Sequence, residues 1–170
     1  VEHGIEQVRF AFADQHGVLR GKAIVAADAM RAMHAGVRLV STLLLKDTSN
    51  RTVWPVFTRG GGFSTPDWEG ANDVVLVADP TTFTPLPWAA KTGWVLCEAR
   101  FPDGRPVPFD TRGVLRRALE RLGHAGFDFA AGLEVEFHAF RVTDPRLSLG
   151  DSGWPGSPPP GHASTTARAA

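Results

Sequence analysis

The sequence predicts an α+β protein, with a mixed sheet wrapped on a short helix, followed by a second helix and a long strand. Three observations carry that expectation. Several short runs alternate apolar and polar residues, as half-buried strands do. One Ala/Met-rich run stops at a glycine, as a short helix does. A turn-rich joint, Pro102-Asp103-Gly104-Arg105-Pro106, separates this group from an amphipathic run that begins near Asp110.

The elements follow in order. Val8, Phe10 and Phe12 fall on one side of an extended segment, with Arg9 and Ala11 on the other. Asp14-Gln15-His16-Gly17 reads as a turn, and Val18 to Val25 returns as the second strand of a hairpin. Asp28 to Ala35 is the short helix, ended by Gly36. Val37 to Leu45 is apolar and partly β-branched, which predicts a buried strand. Asn50 to Asn72 reads as loop, with short β pieces at Val53 to Phe57 and near Trp68. Asp73 to Ala78 is a strand stopped by Asp79-Pro80, and Thr92 to Phe101 is another.

Beyond the joint, Asp110 caps a helix whose apolar positions are Val114, Leu115, Ala118, Leu119 and Leu122. Arg112, Arg116, Arg117, Glu120 and Arg121 are expected to face water. Gly123 and Gly126 end it, and Phe127 to Val142 reads as a long strand. After Pro145 the chain turns to Ser, Pro and Gly and cannot repay its ordering entropy, so a disordered tail is expected.

Composition narrows the function classes. The 170 residues are 43% hydrophobic, ample for a core. Eighteen Lys and Arg balance eighteen Asp and Glu, so nothing draws the chain to nucleic acid or an anionic membrane. The single Cys97 excludes an internal disulfide and reads as a small buried hydrophobe in a reducing compartment. With no membrane-length apolar run and no signal peptide at Val1 to Gln7, a cytoplasmic location is expected. The chain does not open on Met, so its start is expected upstream.

The chemistry-bearing stretch is Gly132-Leu133-Glu134-Val135-Glu136-Phe137-His138-Ala139-Phe140. On a strand, Glu134, Glu136 and His138 share one face, and Val135, Phe137 and Ala139 share the other, packed on the preceding helix. Two carboxylates about 7 Å apart on a rigid strand can hold divalent cations, which could clamp nucleotide phosphates. The plain alternative is a solvated acidic face, and two glutamates do not complete a six-coordinate site. Gly60-Gly61-Gly62 lacks the lysine and helix of a phosphate loop and reads as a flexible loop.

Several segments together resemble the glutamine synthetase family, including its members that ligate amines other than ammonia. Phe12-Ala13-Asp14-Gln15-His16-Gly17-Val18-Leu19-Arg20-Gly21-Lys22 is similar to that family's first hairpin. Asp73 to Pro80 is similar to a strand of its small domain, Asp103 to Leu115 to its domain junction and first catalytic helix, and Gly132 to Phe137 to its first metal-bearing strand. The resemblance covers approximately Ile5 to Asp144 and fails in the tail.

The resemblance implies a β-grasp N-terminal domain over residues 1–102, the beginning of an antiparallel catalytic barrel over 103–145, and a tail over 146–170. It implies ATP-dependent ligation of ammonia or an amine to the γ-carboxylate of glutamate, in glutamine biosynthesis and nitrogen metabolism, with Mg2+ or Mn2+. It implies a homo-oligomeric ring with active sites between a catalytic domain and a neighbour's β-grasp. By position, Glu134 and Glu136 match paired metal ligands, and Asp47 matches an aspartate that binds and deprotonates ammonium. Trp68 matches an aromatic near that pocket, with Trp54 as a rival. A turn aspartate and a loop-packing tryptophan are the plain alternatives. Lys46 departs from the family's apolar neighbour.

The family's remaining metal, ATP and glutamate ligands follow the first catalytic strand and are missing here. A truncated product, inactive alone, is therefore expected, as a frameshift near Gly156 to Gly161 would give. A non-catalytic β-grasp module docking on full-length relatives, or a non-functional remnant with an exposed strand edge, are the alternatives.

Overall fold

The structure, a computed structural model, describes residues 4–48 and 50–137. Its contacts divide the chain at Asp128/Phe129; the first unit runs Val1–Asp128, and of the second only residues 129–137 are described.

The first unit is the expected mixed sheet on a helix. Strands β1 (Gln7–Ala13) and β2 (Leu19–Val25) form the hairpin, and α1 (Ala26–Ala35) follows without a break. Then come β3 (Val37–Val40), β4 (Asp73–Ala78), the two-residue β5 (Thr84–Pro85), β6 (Thr92–Arg100) and α2 (Thr111–His124). The sheet order is β2-β1-β6-β4-β3, with β5 beside β6. β1 and β6 run parallel and the other pairs antiparallel, so the sheet is mixed.

Alternation sets the core. Val8, Phe10 and Phe12 of β1, Val74 and Leu76 of β4, and Val95, Cys97 and Ala99 of β6 are buried together, with Ala29 of α1 and Leu39 of β3 among them. Each large side chain, such as the fully buried Phe10, contributes about 2–3 kcal/mol of apolar burial. Gly36 ends α1 at φ 78, and a Cβ there would sit 2.4 Å from Val75, so the turn into β3 needs glycine.

Several expectations are corrected here. The run Val37–Leu45 is a strand only to Val40; Ser41–Leu45 winds into a single 3₁₀ turn that still buries Leu44 and Leu45. Burial alone does not distinguish a strand from a helical turn in a short apolar run. The β pieces at Val53 to Phe57 and near Trp68 are absent, with one isolated bridge, Lys46–Thr52, in that region. Pro55 has no N–H for a ladder.

The third correction concerns α2. Its cap is as expected: Asp110 accepts the Gly113 N–H at 2.7 Å. Its faces are not. Arg112 pairs with Asp79, Arg116 lies against Glu98 as an ion pair without an aligned hydrogen bond, and Arg117 donates to the Pro108 carbonyl at 3.0 Å. Val114, Leu115 and Leu119 are exposed. The surface beside the helix offers the Asp79 and Glu98 carboxylates, which draw Arg112 and Arg116, while Val114, Leu115 and Leu119 are left exposed.

Phe127 to Phe137 carries no strand pairing, and Leu133, Val135 and Phe137 are exposed. The long strand expected from Phe127 is therefore not formed over its described part, because a strand needs a neighbour to satisfy its backbone. The expected burial of Val135 and Phe137 is likewise not found. The rest of that strand, His138, Ala139 and the tail lie outside the described residues.

Candidate functional site

The candidate site grows from two turns tied to one another. In the β1–β2 turn, the buried Asp14 carboxylate accepts the N–H groups of His16 and Val18, each at 2.9 Å, and Arg20 Nε–H at 2.6 Å. Burial alone would raise the Asp14 pKa, but the hydrogen bond from Arg20 and those two N–H groups hold it below the ordinary carboxylate value. Arg20 continues through Nη1 to Asn50 Oδ1 at 3.0 Å. Gln15 Nε2 donates to the carbonyls of Leu44 and Lys46, at 2.9 and 3.2 Å.

These bonds fix the loop that carries Asp47. The Asp47 N–H donates to the Arg51 carbonyl at 2.9 Å, Asn50 N–H returns to the Asp47 carbonyl at 3.0 Å, and Asp47 Oδ1 accepts the Arg51 N–H at 2.9 Å. The plain alternative for Asp47, a turn aspartate holding its own backbone, is what the geometry displays, and its half-buried carboxylate sits at the mouth of that turn. Sequence reasoning passed over Asp14 and Asn50, although an aspartate opening a turn with an arginine six residues on is a readable signal.

Trp54 and Trp68 take different places. Trp68 is buried, stacked on Phe109 with centroids 4.9 Å apart and edge-on to Phe101 at 5.4 Å. Trp54 is 45% exposed and leans on Phe63 at 4.7 Å. It leaves the Asp47 loop directly, since Val53 N–H donates to the Leu45 carbonyl at 3.0 Å. Trp68 is thus a packing anchor, and Trp54 presents the accessible ring.

The glycine run is the seat of this cluster rather than a loose loop. A Cβ on Gly61 would fall 1.9 Å from the Pro55 carbonyl oxygen, and one on Gly62 2.0 Å from that of Trp68. Phe63 and Ser64 both hold positive φ, 63° and 56°, at about 1–2 kcal/mol of strain each. Phe63 contacts Trp54, Trp68 and Phe109, and these aromatic contacts help hold it there.

Glu134 and Glu136 are exposed on an irregular segment of the second unit. Their hard oxygens suit Mg2+ or Mn2+, but two carboxylates are part of a donor set. Among the described residues no group of three His, Cys, Asp or Glu gathers to hold a metal. No helix among them is long and apolar enough to cross a membrane. Cys97 is buried, with its thiol pushed up to about 12 by burial, and behaves as a hydrophobe.

Comparison with known proteins gives these features a setting. The chain is 37% identical over 159 residues to gamma-glutamylanilide synthase from Acinetobacter sp., covering 92% of this chain and 32% of that protein. It is 34% identical over 141 residues to gamma-glutamylethanolamide synthetase from Streptomyces coelicolor, covering 82% of this chain and 29% of that protein. A solved structure described as a novel glutamine synthase homolog matches with a TM-score of 0.57 at 22% identity, over 71% of this chain and 27% of that one, a likeness of fold. No protein-family model matches. The chain spans about a third of the length of the curated relatives it matches.

Those relatives are, by name, a synthase and a synthetase of gamma-glutamyl compounds. The chain belongs to the glutamine synthetase family. That assignment rests on sequence and fold, and the exposed Glu134–Glu136 pair adds nothing to it in this structure.

Proposed function

We propose that this chain is part of a cytoplasmic ATP-dependent ligase that joins ammonia or an amine to the γ-carboxylate of glutamate. The observation that carries the reading is the 37% identity to gamma-glutamylanilide synthase over 92% of the chain. In the whole enzyme, the γ-carboxylate oxygen attacks the terminal phosphorus of ATP and ADP leaves. The amine nitrogen then attacks the acyl carbon, phosphate leaves, and the nitrogen gives up a proton.

Within that scheme residues 1–102 form the β-grasp domain and 103–145 begin the catalytic domain. Asp47 would bind the ammonium and take its proton, held in place by the Asp14–Arg20–Asn50 chain of hydrogen bonds. Trp68 would support that pocket from beneath, with Trp54 presenting its face. Glu134 and Glu136 would hold Mg2+ or Mn2+, one each. The bound cation would neutralise charge on the nucleotide phosphates. A homo-oligomeric ring would bring Asp47 of one copy to the metal site of the next.

Alone, the chain would be inactive, since charge on a transferring phosphoryl group must be met from several sides. The test is a hybrid in which this chain replaces the matched segment of the Acinetobacter relative. ATP- and amine-dependent formation of a γ-glutamyl amide, lost in Asp47→Ala, is the expected result. A hybrid that folds and assembles like its parent without turnover would overturn the reading. The exposed stripe of α2 favours a second reading, a non-catalytic module that docks on full-length relatives. Mixing the two and weighing the assembly separates them.

A further inference from the structure

We propose that the outer face of the β2-β1-β6 sheet is a binding site for a small planar aromatic carboxylate. Two rows of side chains cross the three strands there. Trp94, Arg9 and Ala23 make one row, and Leu96, Ala11 and Gly21 the next. Cross-strand partners share a face, so the small residues of β1 and β2 form a low floor beside the tryptophan. Gly21 keeps that floor bare: a Cβ there would lie 1.9 Å from the Phe10 carbonyl oxygen.

The β5–β6 connection builds the wall. It folds on itself through Leu86 N–H to the Thr92 carbonyl, at 2.8 Å, and carries Trp88 back onto the sheet. The Trp88 ring meets Trp94 edge-on, with centroids 6.4 Å apart and planes at 82°. Trp88 is 71% exposed, an unusual display for so large an apolar surface. Together these residues line an open groove of about 380 Å³, within the volume range of small-ligand sites.

Charge selects the occupant. Among the described residues no acid lines the cavity. Arg20 is committed to Asp14, and Lys22 donates to the Arg38 carbonyl at 2.6 Å. Among the described residues the Arg9 guanidinium has no hydrogen bond or ion pair. An uncompensated guanidinium beside two indoles and a flat floor matches a planar ring carrying one carboxylate. The ring stacks in the slot, and the carboxylate takes the fork of Arg9 in a bidentate pair.

The experiment uses the 170-residue chain, labelled with ¹⁵N, and three probes. Indole-3-acetate carries the ring and the anion, tryptamine the same ring with a cation, and acetate the anion without the ring. Indole-3-acetate is expected to shift the indole N–H signals of Trp88 and Trp94 saturably, while tryptamine and acetate do not. Arg9→Gln and Trp88→Ala, both at exposed positions, should weaken binding by at least about tenfold, about 1.4 kcal/mol, with the remaining amide spectrum unchanged. Equal binding of tryptamine, an unaltered affinity in Arg9→Gln, or no saturable shift would overturn the proposal. So would concentration-dependent broadening of the same signals without probe, which would assign the face to a second copy.

Discussion

Arg20 Nε–H donates to Asp14 Oδ2 at 2.6 Å within the β1–β2 hairpin, and the same guanidinium reaches Asn50 in the loop of Asp47. One buried carboxylate therefore orders both the hairpin turn and, through Arg20, the candidate amine-handling loop. Its side chain is fully buried and that of Arg20 is 14% exposed, so water does little to screen the pair.

Asp14→Ala is expected to destabilise the chain by about 3–5 kcal/mol, because it strands a mostly buried guanidinium and two backbone N–H groups. Asp14→Asn should cost less, since an amide oxygen still accepts. Urea denaturation reads both. The pH dependence follows from a folded pKa held low. The stabilisation is complete above about pH 4, the ordinary value, and fades as pH falls through the lower folded value. A wild-type advantage that persists undiminished into strong acid would contradict this role.

Asp110 titrates in the opposite sense. Burial raises its pKa, although it accepts the N–H groups of Ala99 at 3.1 Å and Gly113 at 2.7 Å. The penalty on its ionised form is present above the folded pKa and disappears as pH falls to the ordinary value. Asp110→Asn sheds the charge but keeps only one acceptor for the two N–H groups, so at neutral pH it should be less damaging than loss of the whole side-chain cap. Asp110→Ala loses the cap, at about 1–2 kcal/mol. Thermal melts between pH 4 and 8 compare them; asparagine as damaging as alanine would show that one accepting oxygen cannot hold the cap.

The parts of the fold legible in the sequence are those fixed by local chemistry. Asp73–Ala78 is a strand ended by Asp79-Pro80, Gly36 turns out of α1, and Asp110 caps α2, each set by the residues themselves. The parts that misled depend on partners distant in the chain. Leu44 and Leu45 bury equally well on a 3₁₀ turn. Arg112 and Arg116 of α2 are placed by Asp79 and Glu98. A two-residue periodicity cannot make Phe127 to Phe137 a strand without a neighbouring ladder. In the candidate site, Asp47 is proposed through family resemblance alone, whereas the Asp14–Arg20–Asn50 support emerges only when two turns meet.

Trp68 and Trp54 should separate cleanly. Trp68→Ala removes a buried ring in contact with Phe101 and Phe109 and should cost about 3–5 kcal/mol. Trp54→Ala, at a half-exposed ring against Phe63, should cost about 1 kcal/mol. In the hybrid ligase, Trp54→Ala is expected to raise the KM for amine with little loss of melting temperature. An unchanged KM would remove Trp54 from the pocket.

Glu134 and Glu136, exposed and without further donors gathered among the described residues, should hold Mn2+ no tighter than about 1 mM in the isolated chain. Paramagnetic broadening of their amide signals measures this. Micromolar binding abolished by Glu136→Ala would mean that the chain completes a metal site unaided.

The apolar stripe of α2 gives the last prediction. Leu115 is 53% exposed and Leu119 38%, while Arg112 and Arg116 of the same helix face acids. In the isolated chain, Leu115→Gln and Leu119→Gln should each change stability by no more than about 0.5 kcal/mol, since glutamine is nearly as good a helix former and little burial is lost. Arg112→Ala should cost about 1 kcal/mol through its partly buried pair with Asp79. The order reverses if further polypeptide covers the stripe. In the hybrid ligase, or in a mixed assembly with a full-length relative, the leucine variants should then cost about 2–5 kcal/mol or prevent assembly, as core truncations do. Leucine variants that are costly in the isolated chain would mean the stripe is already buried there.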